Sequence, residues 1–162
     1  MSLSLTRRMF MALSSAFLVT RPSFAAGQTV EVKMYNKDPE NKKNRYVFIP
    51  RIVKVKPGDT VNFVSVDKGH NSASTKGMLP EGAEPWKGKI SKDIAVTFEK
   101  PGIYGYQCTP HRAVGMVGAV IVEGEGMANN LEAAKSAKQI GKARKVWKEI
   151  WAEIEEKGML SS

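Results

Sequence analysis

The chain has 162 residues, 25% of them charged and 42% hydrophobic, with a formal net charge of +9. That length suits one domain, and that balance belongs to a globular protein rather than a disordered or fibrous one. A single cysteine excludes a disulfide within the chain, four-cysteine zinc sites and multi-thiolate iron–sulfur clusters, and two histidines exclude a three-histidine metal site.

Residues 1–25 read as an export signal rather than as folded domain. Thr6-Arg7-Arg8-Met9-Phe10 is a basic start, Met9 to Val19 is an apolar stretch too short to span a bilayer, and Ser23-Phe24-Ala25-Ala26 supplies small residues. Ser14, Ser15, Thr20 and Arg21 interrupt the apolar run, which argues against a membrane anchor. The paired arginines suit a twin-arginine signal, and the basic start of a general secretion signal is the other reading. Cleavage is expected after Ala25, which puts Ser23 and Ala25 at the small-residue positions. It removes Arg7, Arg8 and Arg21 and no acid, so the +9 charge falls to +6. An exported lone thiol is open to oxidation unless something occupies it, and export makes nucleic acid an unsuitable partner for the basic charge.

From Gln28 to about Glu123, short β-branched runs alternate with turn signals. The runs are Thr29–Met34, Ile52–Lys56, Val61–Val66, Ile94–Glu99, Ile103–Tyr106 and Val117–Val122, with Pro57-Gly58 and Pro101-Gly102 between some of them. Seven or so such strands predict an antiparallel β-sandwich or barrel. After Gly124-Glu125-Gly126 the period changes. Asn129 or Asn130 is placed to cap a helix from Leu131 to about Ile140, ended by Gly141. Trp147, Ile150, Trp151 and Ile154 then share one face of a second helix running to Lys157-Gly158. Two helices packed on one sheet face are expected. A membrane-surface helix is the competing reading, because the face carries two tryptophans in a lysine-rich segment.

The chemistry concentrates in Tyr106-Gln107-Cys108-Thr109-Pro110-His111-Arg112-Ala113-Val114-Gly115-Met116. One loop holds the only cysteine, a histidine three residues on and a methionine five beyond that. The other histidine, His70, follows the Val61–Val66 run in Asp67-Lys68-Gly69-His70-Asn71. A thiolate, two imidazoles and a thioether make the His₂Cys-plus-axial-Met set of an electron-transfer copper site, whereas zinc has no use for the thioether. Taken singly, Cys108 reads as a small core hydrophobe, His111 as a surface residue and Met116 as core. A Cys–His nucleophile is the enzymatic alternative, but the loop offers neither an orienting group nor an oxyanion site.

The set of motifs resembles the pseudoazurins, blue-copper proteins of the cupredoxin fold. The matching pieces are Pro57-Gly58-Asp59-Thr60-Val61, Val66-Asp67-Lys68-Gly69-His70-Asn71, Met78-Leu79-Pro80-Glu81-Gly82-Ala83-Glu84, Cys108-Thr109-Pro110-His111 and Gly115-Met116. Asn130-Leu131 and Ser136-Ala137-Lys138 in the helical region match as well. The resemblance covers the chain from Glu31 to about Lys157. It implies a mainly β chain: a cupredoxin-like Greek-key β-sandwich of about eight strands over residues 26–125, with two C-terminal α-helices over 126–162 in the same domain.

It further implies one copper ion held by His70, Cys108, His111 and Met116, with no catalytic residues. Asn71 would donate its backbone N–H to the Cys108 sulfur, and Asn36 is expected as a second such partner. Pro80 and Pro110 are expected at the exposed ligand side, where Pro80, Pro110, Ala113 and Val114 would form an apolar patch. Lys37, Lys68, Lys76, Lys87 and Lys89 would ring it, and helix lysines such as Lys145 and Lys148 would lie away from it. The chain departs from the family pattern at a longer, more polar Asp38–Arg45 loop, at Tyr46 and Val114, where methionine is common, and at Gln107, where lysine is common.

The implied function is a monomeric periplasmic electron carrier, not an enzyme, without stable membrane insertion. It would serve an acidic redox partner such as copper nitrite reductase or another terminal reductase. A copper carrier without a redox role is the alternative, although storage proteins multiply their metal donors and this chain does not.

Overall fold

The computed structural model describes residues 27–161; the expected export signal and its cleavage point lie outside them. Eight strands appear in the order β1 (Thr29–Lys37), β2 (Arg45–Ile49), β3 (Ile52–Val55), β4 (Asp59–Ser65), β5 (Ala73–Ser74), β6 (Ile94–Phe98), β7 (Gly102–Gln107) and β8 (Val117–Val122). Two helices follow, α1 (Leu131–Ser136) and α2 (Ala143–Glu156). The strands form two four-stranded sheets, ordered β2-β1-β4-β6 and β3-β8-β7-β5.

The β-sandwich with two C-terminal helices is as expected, but its sheets are mixed rather than purely antiparallel. β1 runs parallel to β4, with Val32 opposite Phe63, and β3 runs parallel to β8, with Val53 opposite Val120. β2 and β3 are consecutive yet belong to different sheets. The chain therefore crosses the sandwich before β4 returns beside β1, and a crossover of this kind brings a strand in parallel. Alternation along a strand marks its buried face and says nothing of its partner's direction. β2 and β5 were not legible either: β2 emerges from the polar Asp38–Arg45 loop, and β5 is two residues defined only by pairing with β7.

The second sheet is covered on both faces. Every residue of β8 is buried, and so is β7 up to Gln107. Tyr104, Tyr106, Val120 and Val122 face the first sheet, where they meet Val32, Phe48, Phe63 and Phe98. Ile103, Val117, Ala119 and Ile121 face outward and pack with Ala143, Trp147, Ile150 and Ile154 of α2 and with Ala134 of α1. Burial on both sides explains why Val117–Val122 reads as an unbroken apolar run. It also assigns the tryptophan-bearing stripe to the sheet rather than to a membrane surface. No helix among the described residues is long and apolar enough to cross a membrane.

The link between the helices differs from expectation. α1 ends at Ser136, where Ala137 turns extended, and Gly141 closes the inter-helix turn against the Ala113 carbonyl. Asn130 precedes α1 but its side chain caps nothing. Its amide instead accepts from the Ile103 N–H at 3.0 Å and donates to the Ile103 carbonyl at 2.7 Å, standing in for a neighbouring strand along β7. The turn then delivers the start of α2 to the Cys108–Met116 loop, where the Lys142 N–H donates to the Ala113 carbonyl at 2.8 Å.

Arg51, just before β3, joins the sheet to α2 through Glu153 at 3.0 Å and Glu149 at 3.3 Å. The Lys157 hydrogen bond, aided by Arg51 and opposed by partial burial, holds the Glu153 carboxyl below its ordinary value of 4.5. A lowered folded-state pKa stabilises above the unfolded value and is lost as pH falls through the folded one. Glu153→Gln should therefore lower stability at neutral pH and flatten its decline below about pH 4.5, as read by denaturant unfolding across acidic pH.

Candidate metal centre

Between β7 and β8 the chain makes a compact loop closed by its own backbone. The Cys108 N–H donates to the Met116 carbonyl at 3.0 Å, the Met116 N–H to the His111 carbonyl at 3.2 Å, and the His111 N–H to the Cys108 carbonyl at 3.1 Å. A 3₁₀ turn over Arg112–Val114 ends at Gly115, whose φ of 101° is one that side chains disfavour. A Cβ at Gly115 would also lie 2.9 Å from Val146 of α2, so glycine is required there twice over.

His70 comes from the other sheet, in the loop after β4. Its Nδ1 lies 3.7 Å from the Cys108 sulfur and 3.1 Å from His111 Nδ1, which is itself 3.4 Å from the sulfur. A point equidistant from these three atoms lies about 2.0 Å from each, the length of a metal–imidazole bond. His70 and Cys108 are fully buried and His111 is half-buried. Burial holds both imidazoles below their ordinary value, with the neighbouring His111 charge adding to the effect at His70. Both rings are thus kept neutral, as ligands must be. Burial pushes the Cys108 thiol up, while the backbone N–H groups of Asn71 and His111 bond the sulfur and pull it back. A buried sulfur already supplied with donors, beside two neutral rings, is an environment completed by a cation.

Met116 is buried in the same core cluster as Cys108, and its backbone bonds both Cys108 and His111. Asn71 joins the two ligand-bearing segments. Its side-chain oxygen accepts from the Thr109 N–H at 2.8 Å, and its amide donates to the Thr109 hydroxyl at 3.1 Å and the Gly88 carbonyl at 2.9 Å. Asn36 does not act as a second donor to sulfur: its side-chain oxygen faces His70 Nε2 at 3.1 Å, and its N–H is taken by Asp67 at 2.7 Å. An acceptor at Nε2 places the proton there and leaves the Nδ1 lone pair facing Cys108.

Other expectations need moving. Pro80 is not beside the ligands. The segment from β5 runs along β7 away from Cys108, pairing at Thr75–Gly105 and Met78–Gly105, and Pro80 packs on Gly102. From Gly102 to Cys108 an extended chain covers about 20 Å. Lys76 follows the same segment, whereas Lys87 faces Ala73 at the site end of β5 and Lys68 adjoins His70. The start of α2 touches the ligand loop, so Lys145 is not remote from it. Tyr46, noted in the sequence only as a departure, stacks on His111 with ring centroids 4.3 Å apart and planes at 11°. No local signal marks that contact, since Tyr46 reaches the loop only after β2 has paired with β1.

A family model described as copper binding proteins of the plastocyanin/azurin family matches residues 32–123. A pseudoazurin from Paracoccus pantotrophus is 45% identical over 133 residues, covering 82% of this chain and 87% of that protein. The solved pseudoazurin from Sinorhizobium meliloti superposes with a TM-score of 0.73 at 48% identity, over 79% of this chain and 97% of that one. The one from Methylobacterium extorquens AM1 gives 0.71 at 41% identity, over 78% and 99%. The chain belongs to the pseudoazurins. Its cofactor is copper, the metal that the soft donor cluster suits, and the family's work is electron transfer through that copper.

Asn71→Ala should strand the Thr109 N–H and loosen the two loops while leaving the backbone donor to sulfur in place. The metal-free protein should lose about 1–3 kcal/mol in denaturant unfolding, and an unchanged midpoint would show that the loops are held otherwise.

Proposed function

We propose that this chain is a periplasmic electron carrier in which His70, Cys108, His111 and Met116 hold one copper ion. The observation that supports it most is the triangle of two neutral imidazole nitrogens and one sulfur whose centre is one metal–ligand bond from each. Met116, buried with Cys108 and tied to it through the backbone, would supply the weak thioether donor of the set.

Bound there, copper supplies a one-electron Cu(II)/Cu(I) couple. The chain's own residues keep the donor positions constant between the two states. Asn36 orients His70, Asn71 ties the loops, and the backbone bonds within Cys108–Met116 fix Cys108 against His111 and Met116. His111 is the donor nearest solvent, beside exposed Pro110, Ala113 and Val114.

The surface favours a protein partner. The exposed large hydrophobics among the described residues are Val66, Ile90 and Val114. Val114 lies on the ligand loop, Val66 precedes His70, and Ile90 precedes Ser91, whose N–H donates to the His70 carbonyl at 2.7 Å. Exposed Lys68, Lys87 and Lys89 stand by, none of them in an ion pair among the described residues. An apolar contact rimmed by unpaired cations suits an acidic redox protein, here copper nitrite reductase or another periplasmic terminal reductase. Residues 1–25 direct export, 26–125 and 126–162 act as one domain, and the protein works as a monomeric carrier rather than an enzyme.

Adding Cu(II) should produce an intense thiolate charge-transfer band that a mild reductant bleaches. Cys108→Ser should abolish it, and Met116→Leu should keep a coloured site with a raised potential. A band surviving in the serine variant, or a lowered potential in the leucine variant, would refute the ligand assignment.

Charge reversal at Lys68 or Lys87 should slow electron transfer at low ionic strength, with the penalty shrinking as salt rises. Reversal at Lys100, beside Pro101 at the far end of β7, should change it little. Stopped-flow rates over an ionic-strength series measure both, and equal penalties would misplace the docking face.

A further inference from the structure

Among the described residues, only two that are not glycine take a positive φ: Tyr46 at 54° and Ser91 at 59°. Both touch the metal centre. Tyr46 stacks on His111, and Ser91 bonds the backbone of His70. Serine has no intrinsic preference for the left-handed region, so its surroundings must hold it there.

Ser91 lies half-buried in the turn that leads into β6, between exposed Ile90 and Lys92. Its N–H donates to the His70 carbonyl at 2.7 Å, and its hydroxyl oxygen accepts from the Gly69 N–H at 2.9 Å. One residue therefore grips the chain on both sides of the His70 Cα. Three residues earlier, Gly88 closes the same strap. Its N–H donates to the Ser72 carbonyl at 2.8 Å, and its carbonyl accepts from the Asn71 amide at 2.9 Å. The strap thus follows the His70 loop from Gly69 to Ser72.

Neither β6 nor the turn needs that grip. β6 pairs with β4 from Asp59–Phe98 to Phe63–Ile94, and the Asp93 carboxylate takes the Ser65 N–H at 2.8 Å. The turn is closed by its own bond, from the Lys92 N–H to the Lys89 carbonyl at 3.3 Å. Glycine would adopt the backbone of Ser91 freely but would leave the Gly69 N–H without its acceptor. What a side chain contributes at position 91 is a hydroxyl acting on the His70 loop.

We propose that Ser91 is a positioning residue for the copper ligand His70, gripping its main chain so that the imidazole stays in place when the metal changes charge. This role rests on the carrier reading and deepens it. Asn36 sets the rotation of the ring through Nε2, whereas Ser91 sets the chain that carries the ring.

The test separates the hydroxyl from stability. Ser91→Gly eases the backbone and removes the hydroxyl, whereas Ser91→Thr keeps the hydroxyl and strains the backbone further, because a β-branched residue resists a positive φ. Unfolding midpoints should therefore be lower for the threonine variant than for the parent. In the metal-free protein, the Gly69 amide should exchange with solvent roughly tenfold faster in Ser91→Gly than in the parent. In the copper-loaded protein, electron self-exchange between reduced and oxidised copies, read by NMR line broadening, should slow in Ser91→Gly. The expected factor is about three to ten, which is what one hydrogen bond corresponds to when its free energy falls on the barrier. The charge-transfer band should shift in the same variant, and Ser91→Thr should match the parent in band and rate. Site properties that follow the unfolding midpoint instead of the hydroxyl, or a glycine variant with the parent's band and rate, would overturn the positioning role. A parent protein that shows no charge-transfer band with copper would refute the carrier reading itself, whereas a banded parent with an indifferent glycine variant refutes only the role of Ser91.

Discussion

Two imidazole nitrogens and a sulfur brought within 3.1–3.7 Å of one another form an arrangement that the rest of the fold must position. Burial keeps both rings neutral, as ligands must be, with their Nδ1 atoms 3.7 Å and 3.4 Å from the sulfur. What maintains it is that the donors arrive on rigid segments from both halves of the sandwich. His70 follows a strand of one sheet, Cys108 ends a strand of the other, and Asn71 binds the two loops together. A site fixed in advance has little to rearrange when its metal changes charge.

The helices belong to that support. α2 covers the outer face of β8, and its first residues bond and pack on the ligand loop through Lys142, Val146 and the Gly141 turn. The loop is therefore pressed between Asn71 on one side and α2 on the other. Gly115 is the point of closest approach, where any side chain would displace Val146. Sheet burial, helix packing and metal geometry meet at that one residue.

Charge is distributed with the same polarity. The cations Lys37, Lys43, Arg45, Lys68, Lys87 and Lys89, in no ion pair among the described residues, border the metal end. Ion pairs such as Arg51–Glu153 and Lys135–Glu155 instead serve the helices. Cations left uncompensated around a half-buried ligand make one end of the molecule attractive to an acidic surface. Tyr46 covers part of that end, so the face His111 offers to a partner depends on β2 as well as on the ligand loop.

The sequence by itself determined the donor set, the strand-rich core and the helical face, because each is written in local terms. Cys108, His111 and Met116 sit in one short loop, β-branched runs alternate, and Trp147, Ile150 and Ile154 recur with helical period. Only the tertiary structure decided the parallel pairings of β1 with β4 and β3 with β8, the anchoring of Asn130 to Ile103, and the turn of Asn36 toward His70 instead of sulfur. It also carried Pro80 to the far end of β7 and brought Tyr46 onto His111. Each of these is a contact between residues distant in the chain, fixed by which strands pair and in which direction. Residue type and spacing encode burial and ligand chemistry, whereas the neighbour that a polar side chain or ring finally meets depends on how the sheets close.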